Sequence, residues 1–556
     1  MISDKQSVQD VVRVCYEMGI RHVIISPGSR NAPLSISFSG YGKFRIYSII
    51  DERSAAFFAL GIGQQTGTAA AIVCTSGSAV LNYAPAIAEA YYQHVPLLVL
   101  TADRPSHRID VGDGQTIRQK DVYHNYIRWS TSLEPKDQCS SIPDIIKAIN
   151  HTQYPTPGPV HINIPLDEPL YNRVSPPSQV APLQIPILNP SNNLPEEALQ
   201  ASLSSLPPYP KVMLLIGMMP PDIRWTEALY LFMTRCPNAV VLSETTSNVA
   251  HPDIITQIDR TLAGIPDDTS GDYVPDLLIT MGHSIISKRI KQWFRQHSIL
   301  AHWHISGKNH FPDTFHQLSL KIPVSPLHFL EHFPDIIGDG NYFDLWNTLV
   351  LDTSDRHEHY IKEAPFTDLK AYDYILEKLP SNTFLQMGNS TVVRYVQLFQ
   401  NRPDLRYFSN RGVSGIEGCT STAIGAANMT NDLVVLLIGD ISFGYDANAF
   451  WHQYLPSNLK IIAFNNGGGN IFRFIQGPDQ TDVLESLFVT QRAQTIHRIA
   501  LRYNLPYQNV DSLASLEALL PRFLHEDTAV PAILEVVTDG VLNARILRAY
   551  FKALNP

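Results

Sequence analysis

Apolar residues along this chain come in short unbroken runs. Each run closes on a small or polar cluster, with helix-like stretches between. Residues 5–19 have helical spacing, and Arg21–Ser26 reads as a strand ending in SPGSR. Phe44–Ile50 is a second strand, closing at Asp51-Glu52 before the small-residue helix RSAAFFALGIGQQTG. Ala70–Thr75 is a third, ending in Ser-Gly-Ser, and Leu97–Thr101 a fourth, ending at Ala102-Asp103-Arg104-Pro105. The segment GPVHINIPLDEPL (158–170) reads as a last strand and an exit. Such alternation predicts an α/β fold with a doubly wound parallel sheet.

The pattern then recurs. Proline accumulates between Pro155 and Pro190, including Pro176-Pro177, and marks a linker. A second α/β region follows, with strands expected at Val212–Ile216, Val240–Leu242, Leu277–Thr280 and Ile299–His304. The polar stretch SDRHEHYIKEAPF (354–366) is a second boundary. Three α/β domains are therefore expected, over 1–175, 190–350 and 356–556. The third repeats the first. At a spacing of 364 residues, Ala59-Leu60-Gly61 falls on Ala423-Ile424-Gly425, and the strand before Ser76 falls on the strand before Asp440. SPGSR near 28 has its counterpart in MGNST near 388.

Candidate chemistry concentrates in Asn431–Phe472. The run Leu433–Ile438 ends at Gly439-Asp440, a helix-like segment reaches Trp451, and Ile461–Phe464 ends at Asn465-Asn466 and three glycines. Asp440 and Asn466 are thus expected at the ends of neighbouring parallel strands, where open α/β sheets bind ligands. A carboxylate and an amide oxygen are hard ligands suited to Mg²⁺, which fills its octahedron with water and substrate phosphate. Gly467–Gly469 would let backbone approach a phosphate. Gly-Asp alone is as readily a helix cap, and Asn-Gly a turn. The double Asn 25 to 26 residues after the Asp, in strand-helix-strand context, favours the metal.

Composition narrows the partners. With 44% apolar and 17% charged residues the chain is globular, and its net charge of −10 gives no electrostatic case for nucleic acid or an anionic membrane. No apolar run approaches a membrane span, and the polar N-terminus is no signal peptide. Five scattered cysteines (Cys15, Cys74, Cys139, Cys236, Cys419) without a CxxC pair suggest a reducing, cytoplasmic setting and no zinc site.

Gly-Asp with a downstream Asn-Asn resembles the fingerprint of the thiamine diphosphate (ThDP)-dependent enzymes. The family usually has Gly or Ala after the Asp, where this chain has Ile441. The resemblance implies a ThDP-binding fold in the two outer domains. One would hold the cofactor's pyrimidine and the other its diphosphate, in a site between subunits. Asp440, Asn466 and Gly468 would then hold Mg²⁺ (or Mn²⁺), and Gly439, Ile441, Ser442 and Asn470 would complete the cofactor contacts. Glu52 would be the catalytic carboxylate against the pyrimidine N1′, favouring the imino tautomer. At a strand end entering an apolar helix, partial desolvation can hold its proton near neutral pH. Ile416, 364 residues on, would be the apolar wedge that bends the cofactor.

A closer match is to one subfamily. SPGSRNAPL (26–34), DERSAAFFALG (51–61), TADRP (101–105), GQTIRQ (114–119), GNSTVVR (388–394), SNRGVSGIEG (409–418) and NNGGGNIF (465–472) resemble the 2-succinyl-5-enolpyruvyl-6-hydroxy-3-cyclohexene-1-carboxylate (SEPHCHC) synthases of menaquinone biosynthesis. The likeness covers both outer domains, and the middle one mainly through SKRIKQW (287–293). It implies a transferase that decarboxylates 2-oxoglutarate and adds the resulting succinyl carbanion to isochorismate in a conjugate sense. Four substrate carboxylates would meet Arg30, Arg104, Arg394, Arg411 and Lys288, arginine's fork suiting a carboxylate. Ser29, Gln115 and Ser390 would add hydrogen bonds, and Ile471 and Phe472 an apolar wall excluding water. The family architecture implies a homodimer at minimum and points to a homotetramer. No histidine sits in these motifs; His94 and His107 read as structural, and the cofactor's aminopyrimidine moves the proton. Two alternatives remain: an acetolactate-synthase-like lyase using pyruvate, and a catalytically dead ThDP-fold binding subunit.

Overall fold

The computed structural model describes residues 1–134, 141–175, 194–249, 251–308, 310–475, 477–490 and 495–555. Residues 176–190 of the expected proline linker, and Cys139, lie outside the described residues.

Eight strands come from the first part of the chain: β1 (Ile2–Ser3), β2 (His22–Ile25), β3 (Arg45–Ser48), β4 (Ala70–Cys74), β5 (Leu97–Asp103), β6 (Trp129–Ser132), β7 (Pro159–Pro165) and β8 (Arg173–Val174). β1 and β8 pair antiparallel; the other six form a sheet ordered β3-β2-β4-β5-β7-β6. The middle sheet takes β9 (Val212–Ile216), β10 (Val240–Ser243), β11 (Leu277–Met281), β12 (Ala301–Ile305) and β13 (Leu320–Ile322), in the order β10-β9-β11-β12-β13. The last sheet takes β14 (Phe384–Met387), β15 (Arg406–Ser409), β16 (Val434–Gly439), β17 (Leu459–Asn465), β18 (Tyr507–Val510) and β19 (Ala532–Val537), in the order β15-β14-β16-β17-β19-β18. Counted from its own first strand, each six-stranded sheet reads 2-1-3-4-6-5. The pairings are parallel, as the alternation with helices predicts.

The unbroken apolar runs follow from burial on both faces. In β9, Val212, Leu214 and Ile216 pack into one core with Trp303, while Met213 and Leu215 enter another with Phe294. Some strand limits differ from those the sequence predicts. The fourth run continues through Ala102 and Asp103, because these pair with Ile164 and Pro165 of β7. The polar stretch 354–366 falls largely inside the 24-residue helix Gly340–Glu363, the stretch's buried positions being His357 and Ile361.

Packing groups the chain into two compact units. One comprises Met1–Asn189, Asn410–Asn431 and Tyr445–Leu459; the other comprises Pro190–Ser409, Asp432–Gly444 and Lys460–Pro556. Inside the first unit, helix Glu52–Thr66 packs on helix Cys419–Ala427. Their contact is backbone on backbone. A Cβ on Gly61 would lie 2.0 Å from the Thr422 carbonyl oxygen, and one on Gly425 2.0 Å from that of Phe58. The two glycines matched in the repeat are thus the two that let these helices touch.

Candidate active site

The expected site residues lie at the C-terminal ends of parallel strands, where loops can converge without breaking the ladder. In the first unit the loop after β2 carries Ser29, exposed, and Arg30, which is only 4% exposed. The Arg30 backbone N–H donates to Thr75 Oγ1 (3.3 Å). Its guanidinium donates to the Leu166 carbonyl (2.9 Å) and to Glu168 Oε1 (3.2 Å). Burial pulls the Arg30 pKa down, and Arg104 and Arg108 pull the same way; Glu168 and Asp167 oppose them. These three arginines therefore lie close together. The Nε atoms of Arg30 and Arg104 are buried without a hydrogen-bond partner among the described residues.

A buried polar lattice fixes the neighbouring strand ends. Asp103 accepts from the Arg104 N–H (2.7 Å) and from Asn163 Nδ2 (2.8 Å). Asn163 in turn accepts from Thr101 (2.8 Å) and from Gln119 (3.1 Å), and Gln119 accepts from the Gly77 N–H (3.0 Å). Burial raises the Asp103 pKa against its bonds to Asn163 and the Arg104 N–H. Gln115, exposed and at φ 59°, takes a hydrogen bond from Ser76 on its carbonyl (2.9 Å).

Glu52 begins its helix directly after Asp51, whose carboxylate caps the Ser54 N–H (3.2 Å) and accepts from Asn448 Nδ2 (2.8 Å). Glu52 is half-buried and accepts from Asn82 Nδ2 (3.1 Å). It lines a cleft of about 430 Å³ with Ile50, Arg53, Asn82 and Trp451. Arg53 donates to the Tyr445 carbonyl (2.8 Å). Nearby Asp446 accepts from the N–H and Oγ of Ser421, near the start of helix Cys419–Ala427, and burial pushes its pKa up to about 7. Ile416, half-buried, lies in the turn before that helix. Arg411 is buried in the preceding turn, whose Gly412 and Val413 N–H groups both donate to Glu89 (2.6 and 2.7 Å). Burial raises the Glu89 pKa, and these N–H groups and Arg411 hold it down. Of the two histidines, His94 closes helix Ala84–Gln93 in the left-handed conformation, while His107 is exposed.

The second unit holds the metal-type residues. β16 and β17 are neighbours; Gly439 ends β16 and Asp440 follows, and Asn466 follows β17. Asp440 is 6% exposed, with Oδ1 accepting from the Ile441 N–H (2.8 Å) and Oδ2 unpartnered among the described residues. Burial pushes its pKa up to about 7; the N–H groups of Ile441 and Gly468 work against this, and Asp368 and Glu535 add to it. Ser442, beside it, is buried. Asn466 spends its amide nitrogen on Asp368 Oδ2 (2.8 Å), which leaves its Oδ1 as the atom available to ligate a metal. Asp368 is itself held by Thr538 (2.6 Å). Gly468 sits at φ 125°, and a Cβ there would lie 2.3 Å from the Val489 carbonyl oxygen, so only glycine fits. Asn470 accepts from Arg473 Nη1 (3.1 Å), while its own Nδ2 is buried without a partner among the described residues. Ile471 and Phe472 are half-buried, Phe472 against the Phe488 ring (5.4 Å between centroids).

This donor set fits a divalent cation on a diphosphate. Asp440 presents a buried Oδ2 without a hydrogen-bond partner among the described residues, Asn466 adds a second hard oxygen, and Asn470 offers an unused N–H donor to an anion. A cation would relieve the burial penalty on Asp440.

Ser390 and Arg394 lie farther along the same edge. Ser390 adopts φ 72°, and its carbonyl accepts from Arg394 Nη1. Burial lowers the Arg394 pKa and Asp259 raises it. Asp259 also accepts from Ser287, the N-cap of helix Lys288–Gln296. Arg394 and the start of that helix thus share a carboxylate neighbour, though Lys288 itself is exposed. The residues that sequence reasoning missed are the ones behind: Asp368, Glu89, Asp446, Asn82 and Asp259. The single signal available was Glu89, an acid inside the small-residue helix APAIAEAYYQ.

Comparison with known proteins places the chain among relatives. Residues 6–124 match the family described as thiamine pyrophosphate enzyme, N-terminal TPP binding domain. A relative from Flavobacterium johnsoniae, named 2-succinyl-5-enolpyruvyl-6-hydroxy-3-cyclohexene-1-carboxylate synthase, is 41% identical over 98% of both chains. One of the same name from Porphyromonas gingivalis is 38% identical, covering 99% of this chain and 97% of its own. Among solved structures, benzoylformate decarboxylase from Polynucleobacter necessarius shares the fold, with a TM-score of 0.73, 97% of this chain and 99% of that one covered, and 16% identity.

Proposed function

This chain belongs to the SEPHCHC synthases, a family of ThDP-dependent enzymes, and on that premise we propose that it joins 2-oxoglutarate, after loss of CO₂, to isochorismate in menaquinone biosynthesis. The full-length identity to relatives of that name carries the reading. When bound, ThDP supplies the carbon nucleophile and the electron sink for decarboxylation. Asp440, Asn466 and the Gly468 backbone would hold Mg²⁺, and Gly439, Ile441, Ser442 and Asn470 would complete the contacts to the cofactor. Glu52, steadied by Asn82, would hold or release a proton at the pyrimidine N1′, and Ile416 would pack against the cofactor.

The substrate residues answer to the charges they must meet. Arg30, Arg104 and Arg411 lie in tightly held turns, so little ordering is needed when a carboxylate arrives. Unsatisfied guanidinium N–H groups at Arg30 and Arg104 are the kind of donor a carboxylate fills. Arg394, with Asp259 as its carboxylate neighbour, and Lys288 serve the 2-oxo acid and the second substrate together, with Ser29, Gln115 and Ser390 as neutral donors. Ile471 and Phe472 exclude water. The working form is at minimum a homodimer.

The test is direct. Protein, ThDP, Mg²⁺, 2-oxoglutarate and isochorismate are combined, and isochorismate consumption is followed, with pyruvate replacing 2-oxoglutarate as control. Consumption only with pyruvate would reverse the assignment. Bound flavin in the purified protein would favour the acetolactate branch.

A further inference from the structure

The proposed reaction makes no use of a cleft of about 500 Å³ along the last helix, Gly540–Leu554. From the helix it is lined by Arg545, Arg548 and Lys552, which recur at three- and four-residue spacing and so share one face. Facing them are Arg473, Asp479 and Glu485. Four cations thus meet two carboxylates in a chain whose net charge is −10. Two cations are matched: Arg473 grips Glu485 in a fork (2.9 and 2.6 Å), and Arg548 pairs with Asp479 (2.9 Å). Arg545 and Lys552 make no ion pair or side-chain hydrogen bond among the described residues.

We propose that this cleft binds a compact dianion, carboxylate or phosphoryl, between Arg545 and Lys552, and that its occupancy is felt at the diphosphate anchor through Arg473. The cleft gathers positive charge that the chain leaves unpaired, and long flexible stems let both free cations close on one small anion. The link inward is short. Arg473 is 6% exposed and holds Asn470 Oδ1, so the Asn470 amide is oriented by a residue that also walls the cleft. The helix bearing the free cations starts at Gly540, where a Cβ would lie 2.4 Å from the Asn466 carbonyl oxygen and 2.6 Å from Arg473 Nη1. An anion beside Arg473 competes with Glu485 for its guanidinium, and any shift passes to Asn470. The coupling rests on the reading of Asn470 as a cofactor contact; the binding does not.

Malonate and inorganic phosphate are titrated calorimetrically into the full-length, cofactor-free protein, the two arms deciding between carboxylate and phosphoryl ligands. The variants are Arg545→Ala with Lys552→Ala, both exposed positions, and Arg394→Ala. At least one probe should bind wild type and Arg394→Ala alike, and at least about tenfold more weakly to the double variant, the loss expected for a charged hydrogen bond. Unweakened binding in the double variant, or binding lost in Arg394→Ala instead, overturns the site. ThDP affinity, read by fluorescence quenching with and without saturating malonate, should change in wild type and stay fixed in the double variant. An equal change in both, or none in wild type, overturns the coupling.

Discussion

In the first sheet the loop after β2 turns back on β4 through the Arg30 N–H and Thr75, and the strand ends gather arginines. In the last sheet, with the same 2-1-3-4-6-5 order, β16, the counterpart of β4, is followed by a buried carboxylate, and Asp368 and Glu535 crowd it with more negative charge. One topology therefore serves two opposite electrostatic purposes. The first edge suits anions and the last suits a cation. The strand order fixes only where a ligand can lie; the side chains one residue past each strand decide what it is.

The sharpest way to break that division is to separate turnover from cofactor binding. Glu52→Gln should leave Mg²⁺ and ThDP binding near wild type while lowering kcat by about 10²–10⁴, the usual share of general acid–base catalysis. Near-normal turnover would remove Glu52 from the chemistry. Arg394→Ala should lose about 10- to 150-fold in kcat/KM, the equivalent of about 1.5–3 kcal/mol for a charged hydrogen bond. If steady-state kinetics with both substrates are unchanged, Arg394 is only a structural neighbour of Ser390. Asp368→Asn should act on the other edge alone, weakening Mg²⁺ by about 10- to 100-fold as loss of a ligand's supporting partner does. A metal titration followed by ThDP binding reads this. Loss of turnover with metal affinity intact would contradict the placement of Asn466 as a ligand held from behind.

A pH experiment sharpens the contrast further. Asp440 titrates near about 7 in the folded chain against an ordinary 3.8, so the folded form holds this proton more tightly than the unfolded. The stability this gives is complete below about pH 4 and is lost as pH rises through 7. Asp446 and Glu244, both raised to about 7 by burial, act in the same direction. The metal-free protein should therefore fall in Tm between about pH 5 and pH 8. Mg²⁺ with ThDP should restore more at the upper end, where Asp440 is ionised. A Tm gain from the metal that is larger at low pH would contradict this. The smallest effect expected is that of Asn82→Ala, which removes one hydrogen bond from Glu52 and should cost about 2- to 12-fold in kcat.

The strands and their ends were legible because parallel strands are buried on both faces and announce themselves as apolar runs closed by Gly, Asp or Asn. The supports were not. Asp368 meets Asn466 across 98 residues, and Glu89 meets Gly412 across 323. No local spacing encodes such pairs; they exist only once the chain has folded. The same holds for the polar run 354–366, whose charges look like a linker until every third or fourth residue is seen to face a core. Arg30 shows the limit from the other side. Its SPGSR turn marked it as a site residue, but its bonds to Leu166 and Glu168 depend on a strand far downstream.

The paired glycines at 61 and 425 bear on how freely the chain's sequence can drift. Because each leaves no room even for a methyl group, neither position can accept a side chain while the other stays glycine, and a second change at the partner cannot create the missing space. In a saturation library both columns should therefore be empty of survivors, together and independently of any selection for catalysis. Such a joint would hold two segments 364 residues apart in register through any amount of change in the loops around them.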